Sequence, residues 1–180
     1  MKHTGWLLAL AFGAVALSAC GSDAGPGTVH LYDHSPVPAV PDRTLPLGAA
    51  GVIGTNAIDG VYWAVPTGDG DDTHIGFDVS QALFGPICVS VLGADECPND
   101  YGVVDDPHVV ISASAADLQI VSVVADDHQN YAIDGAELAA LASGKAPAAA
   151  APDGYEYVPF PFLLTVTNGK VTEARQIWVP

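Results

Sequence analysis

The chain ends on a stretch with little conformational choice. Phe160 to Thr167 is an apolar, β-branched run, and Lys170 to Trp178 is a second run of similar character. Between them sits Asn168-Gly169, the dipeptide that suits a two-residue type I′ turn, because both central positions need positive φ. Phe162, Leu164 and Val166 alternate, as a strand with one buried face requires. In the return run, Val171, Ala174 and Ile177 are not in one period-two phase, so a β-bulge is expected there. A closing hairpin of this kind implies a sheet for it to join.

The same signals recur upstream. Val61-Tyr62-Trp63-Ala64-Val65 and Ile75-Gly76-Phe77-Asp78-Val79 flank the polar segment from Thr67 to Asp72 and predict an antiparallel hairpin. Tyr62 and Trp63 should face opposite ways, while Ile75, Phe77 and Val79 share a face. Gly102 to Val104, His108 to Ser112 and Leu118 to Val124 read as further strands. Ser80 is placed to cap a short helical turn through Gly85, with Leu83 and Phe84 packing inward. Pro86 to Leu92 is open between strand and helix. Ile87, Val89 and Val91 alternate, yet Pro86 suits a first helical position and Gly93 a stop, which tilts the reading to helix. Asp134-Gly135-Ala136-Glu137 has the form of a capping box, with Asp134 capping and Glu137 reaching back. It should open a helix to Ala142 with Leu138 and Leu141 as its buried stripe, ending at Gly144. Ala146 to Pro152 reads as a mobile Ala/Pro loop. The expected fold class is β-rich α+β: a small antiparallel sheet or partly closed barrel of about six or seven strands with one or two short helices.

The other end of the chain carries an address. A basic start at Lys2 leads into the uncharged apolar run from Trp6 to Leu17. That is short of the ~20 residues a membrane-spanning helix needs, and it has the form of a signal-peptide core. Leu17-Ser18-Ala19-Cys20-Gly21 follows. This stretch resembles the lipobox of bacterial lipoproteins. The resemblance implies diacylglycerol attachment to the Cys20 sulfur and cleavage before Cys20. It divides the chain into a removed signal peptide over 1–19, a lipid-anchored Pro/Gly-rich tether over 20–50 and a single β-rich domain over 51–180. Proline at the density found between Gly21 and Leu47 opposes helix and central strand. The implied location is the outer face of a bacterial cell membrane or the outer membrane, with the lipid on Cys20 as the membrane contact. Gly21 in place of Asp gives no inner-membrane retention signal.

Charge and cysteines bound the function. The chain has 21 acidic and 5 basic residues, a formal net charge of −16. Nucleic-acid binding needs Lys and Arg to neutralise phosphates, so that class is excluded. With Cys20 taken by lipid, Cys88 and Cys97 are left, and in an exported protein they should form a disulfide.

Candidate chemistry is sparse. Asp69, Asp71 and Asp72 supply hard oxygens for calcium, but an EF-hand loop begun at Asp69 would need Gly at His74 and Glu at Ser80. A solvated acidic turn is the stronger reading. His30 and His34 stand four apart without the HExxH glutamate, Leu31 holding that place, and the proline run after them opposes the helix a zinc pair would need. Asp126-Asp127-His128 offers a carboxylate–imidazole pair with no serine or cysteine beside it. Asp100, Asp105 and Asp106 near Tyr101 and His108 are the best carboxylates for a hydrolase. The chain holds no GxSxG, HExxH or P-loop motif.

Asp59-Gly60-Val61-Tyr62-Trp63, Phe77-Asp78-Val79-Ser80-Gln81-Ala82-Leu83-Phe84-Gly85, Asn99-Asp100-Tyr101-Gly102-Val103, Leu164-Thr165-Val166-Thr167-Asn168-Gly169-Lys170-Val171 and the final Trp178-Val179-Pro180 together resemble a loosely defined set of exported bacterial proteins and lipoproteins. That resemblance favours helix for Pro86 to Leu92 and brings no catalytic residues. The expected function is a cell-envelope lipoprotein: a membrane-anchored, non-enzymatic binding or structural module, without cofactor, for an envelope protein, glycan or small ligand. The alternatives are a calcium-stabilised structural module and a carboxylate-dependent envelope hydrolase.

Overall fold

The computed structural model describes residues 28–39, 52–53, 56–57, 59–104 and 109–179. The lipobox with Cys20, and Asp105, Asp106 and His108, lie outside the described residues. In chain order the elements are β1 (Asp33–Ser35), β2 (Val52–Ile53), β3 (Asn56–Ala57), β4 (Gly60–Pro66), β5 (His74–Phe84), α1 (Gly85–Leu92), β6 (Tyr101–Val104), β7 (Val110–Ser114), β8 (Ile120–Val124), β9 (Asn130–Ile133), α2 (Gly135–Ala142), β10 (Phe162–Thr167) and β11 (Lys170–Gln176). Two 3-10 turns, Ala94–Glu96 and Pro98–Asp100, join α1 to β6.

Nine of these strands form one open sheet in the order β1-β9-β8-β11-β10-β4-β5-β6, with β7 also on β5. The fold is therefore β-rich α+β, as the sequence indicates. It departs from the expected antiparallel sheet of six or seven strands in two ways. The sheet gains the short strands β1 and β9, and β11 runs parallel to β8. A parallel neighbour requires a long crossover, and here the chain makes it through β9, α2 and β10. β5 presents one edge to β4, and its other edge is shared between β7 at His74–Asp78 and β6 at Gln81–Phe84.

The sheet is packed on both faces because its strands alternate. On one face Tyr62, Ala64, Ile75, Phe77, Val79, Phe162 and Leu164 join Leu138 and Leu141 of α2 in the main core. Phe77 and Phe162 are fully buried and meet edge to face with centroids 5.6 Å apart. Each such side chain contributes about 1.5–3 kcal/mol by leaving water. On the other face Trp63, Ala82 and Ile177 cluster, with Phe84, Tyr101 and Leu163 packed on them. A third cluster, Leu83, Cys88 and Cys97, ties the α1 region to the sheet. Cys88 and Cys97 are disulfide-bonded, the pairing expected from the sequence.

Several local expectations change. Ser80 to Phe84 is not a helical turn: β6 supplies partners to Gln81–Phe84, so β5 continues to its full 11 residues and helix begins only at Gly85. Part of the segment read as a tether is ordered in the fold. Tyr32 is buried, its ring meets Tyr155 edge to face at 5.3 Å, and β1 pairs with β9, so part of the 20–50 segment belongs to the folded unit. A strand as polar as Asp33-His34-Ser35 gives no hydrophobic signal; Tyr32 before it does the anchoring. Asp134 caps α2 by accepting from the Glu137 amide at 2.8 Å, but Glu137 does not reach back. Its Oε1 instead accepts from the Tyr32 hydroxyl at 2.9 Å and from the Ala148 amide at 2.8 Å. The Ala/Pro loop is thereby held, and Ala148 and Ala151 pack on the core.

In the closing hairpin Asn168 and Gly169 both have positive φ, 53° and 72°. Thr165 pairs with Glu173 and Val166 with Val171, leaving Thr172 as the bulged residue. The bulge brings Val171 and Ala174 to the same core. Phe160 and Pro161 stay outside β10, and Ile177 and Trp178 outside β11.

Candidate ligand-binding cleft

The second face of the sheet is only partly covered. Beyond the Trp63 cluster it opens into a cleft of about 700 Å³, within the size range of small-molecule sites. Val65 of β4 and Asp78 and Ser80 of β5 form its floor. Tyr101 and Val103 of β6, with Pro98 and Asn99 before them, form one wall, and Pro159, Phe160, Pro161 and Val179 form the other.

Local sequence explains how these residues meet. Val65 pairs with Asp78 and Trp63 with Ser80 across β4 and β5, so all four point to this face. The β6 wall depends on the disulfide. Cys97 is fixed to Cys88, and the chain then turns through Asn99 and Asp100, both left-handed with φ of 58° and 60°. Asn and Asp tolerate that region better than other L-residues. Gly102 lies beneath the loop, where a Cβ would stand 2.8 Å from the Cys88 sulfur and 2.7 Å from Leu92 Cδ1. The opposite wall is latched by Gln176, which is fully buried. Its Nε2 donates to the Val158 carbonyl at 2.6 Å, its Oε1 accepts from the Val124 amide at 3.0 Å, and the Ile177 amide donates to the Pro161 carbonyl at 2.9 Å.

The cleft is mainly apolar, with a few polar groups among aliphatic, proline and aromatic surfaces. Ser80 is 4% exposed, and its Oγ has no hydrogen-bond partner among the described residues. The Nε1 of its cross-strand neighbour Trp63 is likewise unpartnered. A buried hydroxyl without a partner costs about 1–3 kcal/mol, and a bound molecule that bonds to it would recover that energy. Burial raises the Tyr101 hydroxyl well above the usual phenol range, so it remains protonated and able to donate. Among the described residues no Lys, Arg or His lines the cleft. Behind Phe160 and Val179 a smaller hollow of about 300 Å³ is lined by Asp126, His128 and Glu156, among others.

Of the sequence candidates among the described residues, one lines the cleft. Tyr101 lines the cleft, but its neighbour Asp100 does not. The acidic turn satisfies itself. Asp71 Oδ1 accepts from the Thr73 amide and hydroxyl, both at 2.7 Å, and from the His74 amide at 2.8 Å. The Thr73 hydroxyl, with the two amides, lowers the Asp71 carboxyl to about 2. Asp72 is paired with Lys145. Among the described residues no three His, Cys, Asp or Glu side chains gather as a metal would need, and Asp69, Asp71 and Asp72 are no exception. Asp127 accepts from the Tyr131 hydroxyl at 2.5 Å and from the Gln129 amide. His128 stacks instead on Trp178, with ring centroids 4.0 Å apart. His34 lies in β1 and stacks on Tyr131 at 4.9 Å.

Comparisons with protein families, with curated proteins and with solved structures give no match for this chain. Apart from Tyr101, the residues that make the cleft were not among the sequence candidates. Asp78 carried the one local signal. It is a carboxylate inside an alternating apolar run, on the face away from Ile75, Phe77 and Val79.

Proposed function

We propose that this is a lipid-anchored binding protein of the bacterial cell envelope, and that the cleft over β4, β5 and β6 holds a small ligand. The anchor rests on Leu17-Ser18-Ala19-Cys20-Gly21 and the apolar run before it. The binding role rests on one observation above others: a cleft of about 700 Å³ with apolar walls, lined by Ser80, whose buried Oγ has no hydrogen-bond partner among the described residues. Binding sites of small molecules combine an apolar lining with a few placed polar groups. A stapled loop on one side and the Gln176 latch on the other keep the walls in place, which limits the ordering cost of binding.

The reading is tested in two arms. Cys20→Ala should move the protein from the membrane to the soluble fraction, since a diacyl anchor holds stably where a lone chain does not. Val103→Trp should fill the cleft and abolish ligand binding while leaving the melting temperature within a few degrees. A Cys20→Ala protein that stays in membranes refutes the anchor. A Val103→Trp protein that binds as before refutes the cleft.

A further inference from the structure

The cleft offers hydrogen bonds sparingly, and that limits what can fill it. We infer that its ligand is an uncharged, lipid-like molecule: a mainly apolar body with one neutral acceptor oxygen, of the carbonyl kind, bonded to the Ser80 hydroxyl. This rests on the cleft being the binding site.

Three observations converge on that class. The first is the polar inventory of the lining. Pro66, Pro98, Pro159 and Pro161 all line the cleft, and proline has no N–H to donate. The valines and Phe160 add only apolar side chains. A sugar, with a hydroxyl on most of its carbons, would leave many of them without partners here, at a cost for each. One polar head on an apolar body avoids that cost. The second is the kind of partner this face calls for. Ser80 Oγ lines the cleft, is buried, and has no hydrogen-bond partner among the described residues. Its cross-strand neighbour Trp63 leaves Nε1 unpartnered as well. An indole N–H can only donate, so an acceptor oxygen with two lone pairs suits this face of the sheet. Tyr101, whose hydroxyl is kept protonated by burial, adds another donor to the lining. The third is charge. Among the described residues the one charged side chain in the lining is Asp78, and it already has an interaction within the fold. It is therefore no free counter-ion for a cationic head, and a buried charge needs one. An anionic head would meet the same side chain in a protein of formal net charge −16, which repels it. A neutral head meets neither penalty.

The test uses the lipidated protein in uncharged detergent micelles, with uptake by empty micelles subtracted. Four probes share one body and differ in the head: 4-phenylbutan-2-one, butylbenzene, 4-phenylbutan-2-amine and 3-phenylpropanoate. Phenyl glucoside stands for the glycans. Calorimetric titration should give the ketone at least about 10-fold tighter binding than the amine, the carboxylate and the glucoside. Ser80→Ala should weaken the ketone by about 5–10-fold, the worth of one buried hydrogen bond, and should not weaken butylbenzene. The same variant should keep the parent's Tm, because the hydroxyl it removes bonds to nothing among the described residues. Should it fold poorly, the infrared carbonyl stretch of the ketone bound to the unaltered protein replaces it. A stretch at lower frequency than in hydrocarbon solvent reports the hydrogen bond, and a stretch equal to that in hydrocarbon overturns it. Val103→Trp should remove binding of the ketone and of butylbenzene. Amine, carboxylate or glucoside binding as tight as the ketone, or a ketone indifferent to Ser80→Ala, overturns the neutral acceptor. If that binding is still lost in Val103→Trp, the cleft stands. Binding of none of the probes, or binding indifferent to Val103→Trp, overturns the cleft and this inference with it.

Discussion

Cutting the Cys88–Cys97 cross-link should cost stability by an amount the loop length sets. The bonded residues are 9 apart in sequence. Closing a loop of that size removes roughly 8–9 cal/mol/K from the unfolded chain, about 2.6 kcal/mol at 25 °C. For a domain of this size that corresponds to a fall in Tm of roughly 5–15 °C. Reduction of the native protein isolates the cross-link itself. Cys88→Ala with Cys97→Ala adds the loss of two buried sulfurs, since Cys88 is fully buried and Cys97 is 6% exposed, and should cost more. Urea unfolding followed by tryptophan fluorescence reads the global effect through Trp63 in the neighbouring cluster. Amide exchange at β6 reads the local one, because the stapled loop packs directly over Gly102. Both should respond, and ligand affinity should fall with them as the Asn99 wall loosens. Equal urea midpoints and unchanged exchange at β6 after complete reduction would refute the claim that the disulfide holds this wall.

Other outcomes follow from named contacts. Gly102→Ala should destabilise the protein by about 1–3 kcal/mol, because the new methyl overlaps Cys88, Leu92 and the Glu96 carbonyl; a denaturation midpoint equal to the parent's would contradict it. Tyr32→Phe removes a hydroxyl bonded to the Glu137 carboxylate and should cost about 1–3 kcal/mol. Starting the chain at Gly51 should cost more, since β1 and the buried Tyr32 go together; equal stability of the shortened protein would show that the segment is a plain tether. The Asp71 carboxyl should titrate near pH 2 by carbon-detected NMR, below its ordinary 3.8. A lowered folded value means that its contribution is present above the unfolded pKa near 3.8 and is lost as pH falls toward 2. Thr73→Ala should move the midpoint up, and a midpoint already near 3.8 in the parent protein would refute the hydrogen-bonded turn.

What the sequence disclosed and what it hid have separate causes. Asn168-Gly169 announced its hairpin because only a few residues tolerate positive φ at both positions, and the phase break between Val171 and Ala174 announced the bulge. Ile75, Phe77 and Val79 announced a buried face because period-two alternation is the mark of a strand with one side in the core. β1 was silent, being three polar residues held by pairing with β9. Ser80 misled because a serine before an apolar pair suits a cap, and only the remote partner β6 makes the segment a strand. Glu137 stands where a capping-box glutamate should, yet Tyr32 and the Ala148 amide, distant in sequence, claim its oxygen. The cleft was hidden for the same reason. Its floor, its Pro159–Pro161 wall and its disulfide-held wall come from three stretches of chain that no local pattern joins. Among the described residues only Tyr101 was both a sequence candidate and a member of the site.

Native mass spectrometry of the protein gently extracted from its own membranes tests the central claim most directly. One spectrum reads both the anchor and the cargo. A chain beginning at Cys20, carrying the lipid mass and a small-molecule adduct that Val103→Trp abolishes, is the predicted result. A chain with Cys20 unmodified, or a Val103→Trp spectrum with the same bound species as the parent, would contradict the account.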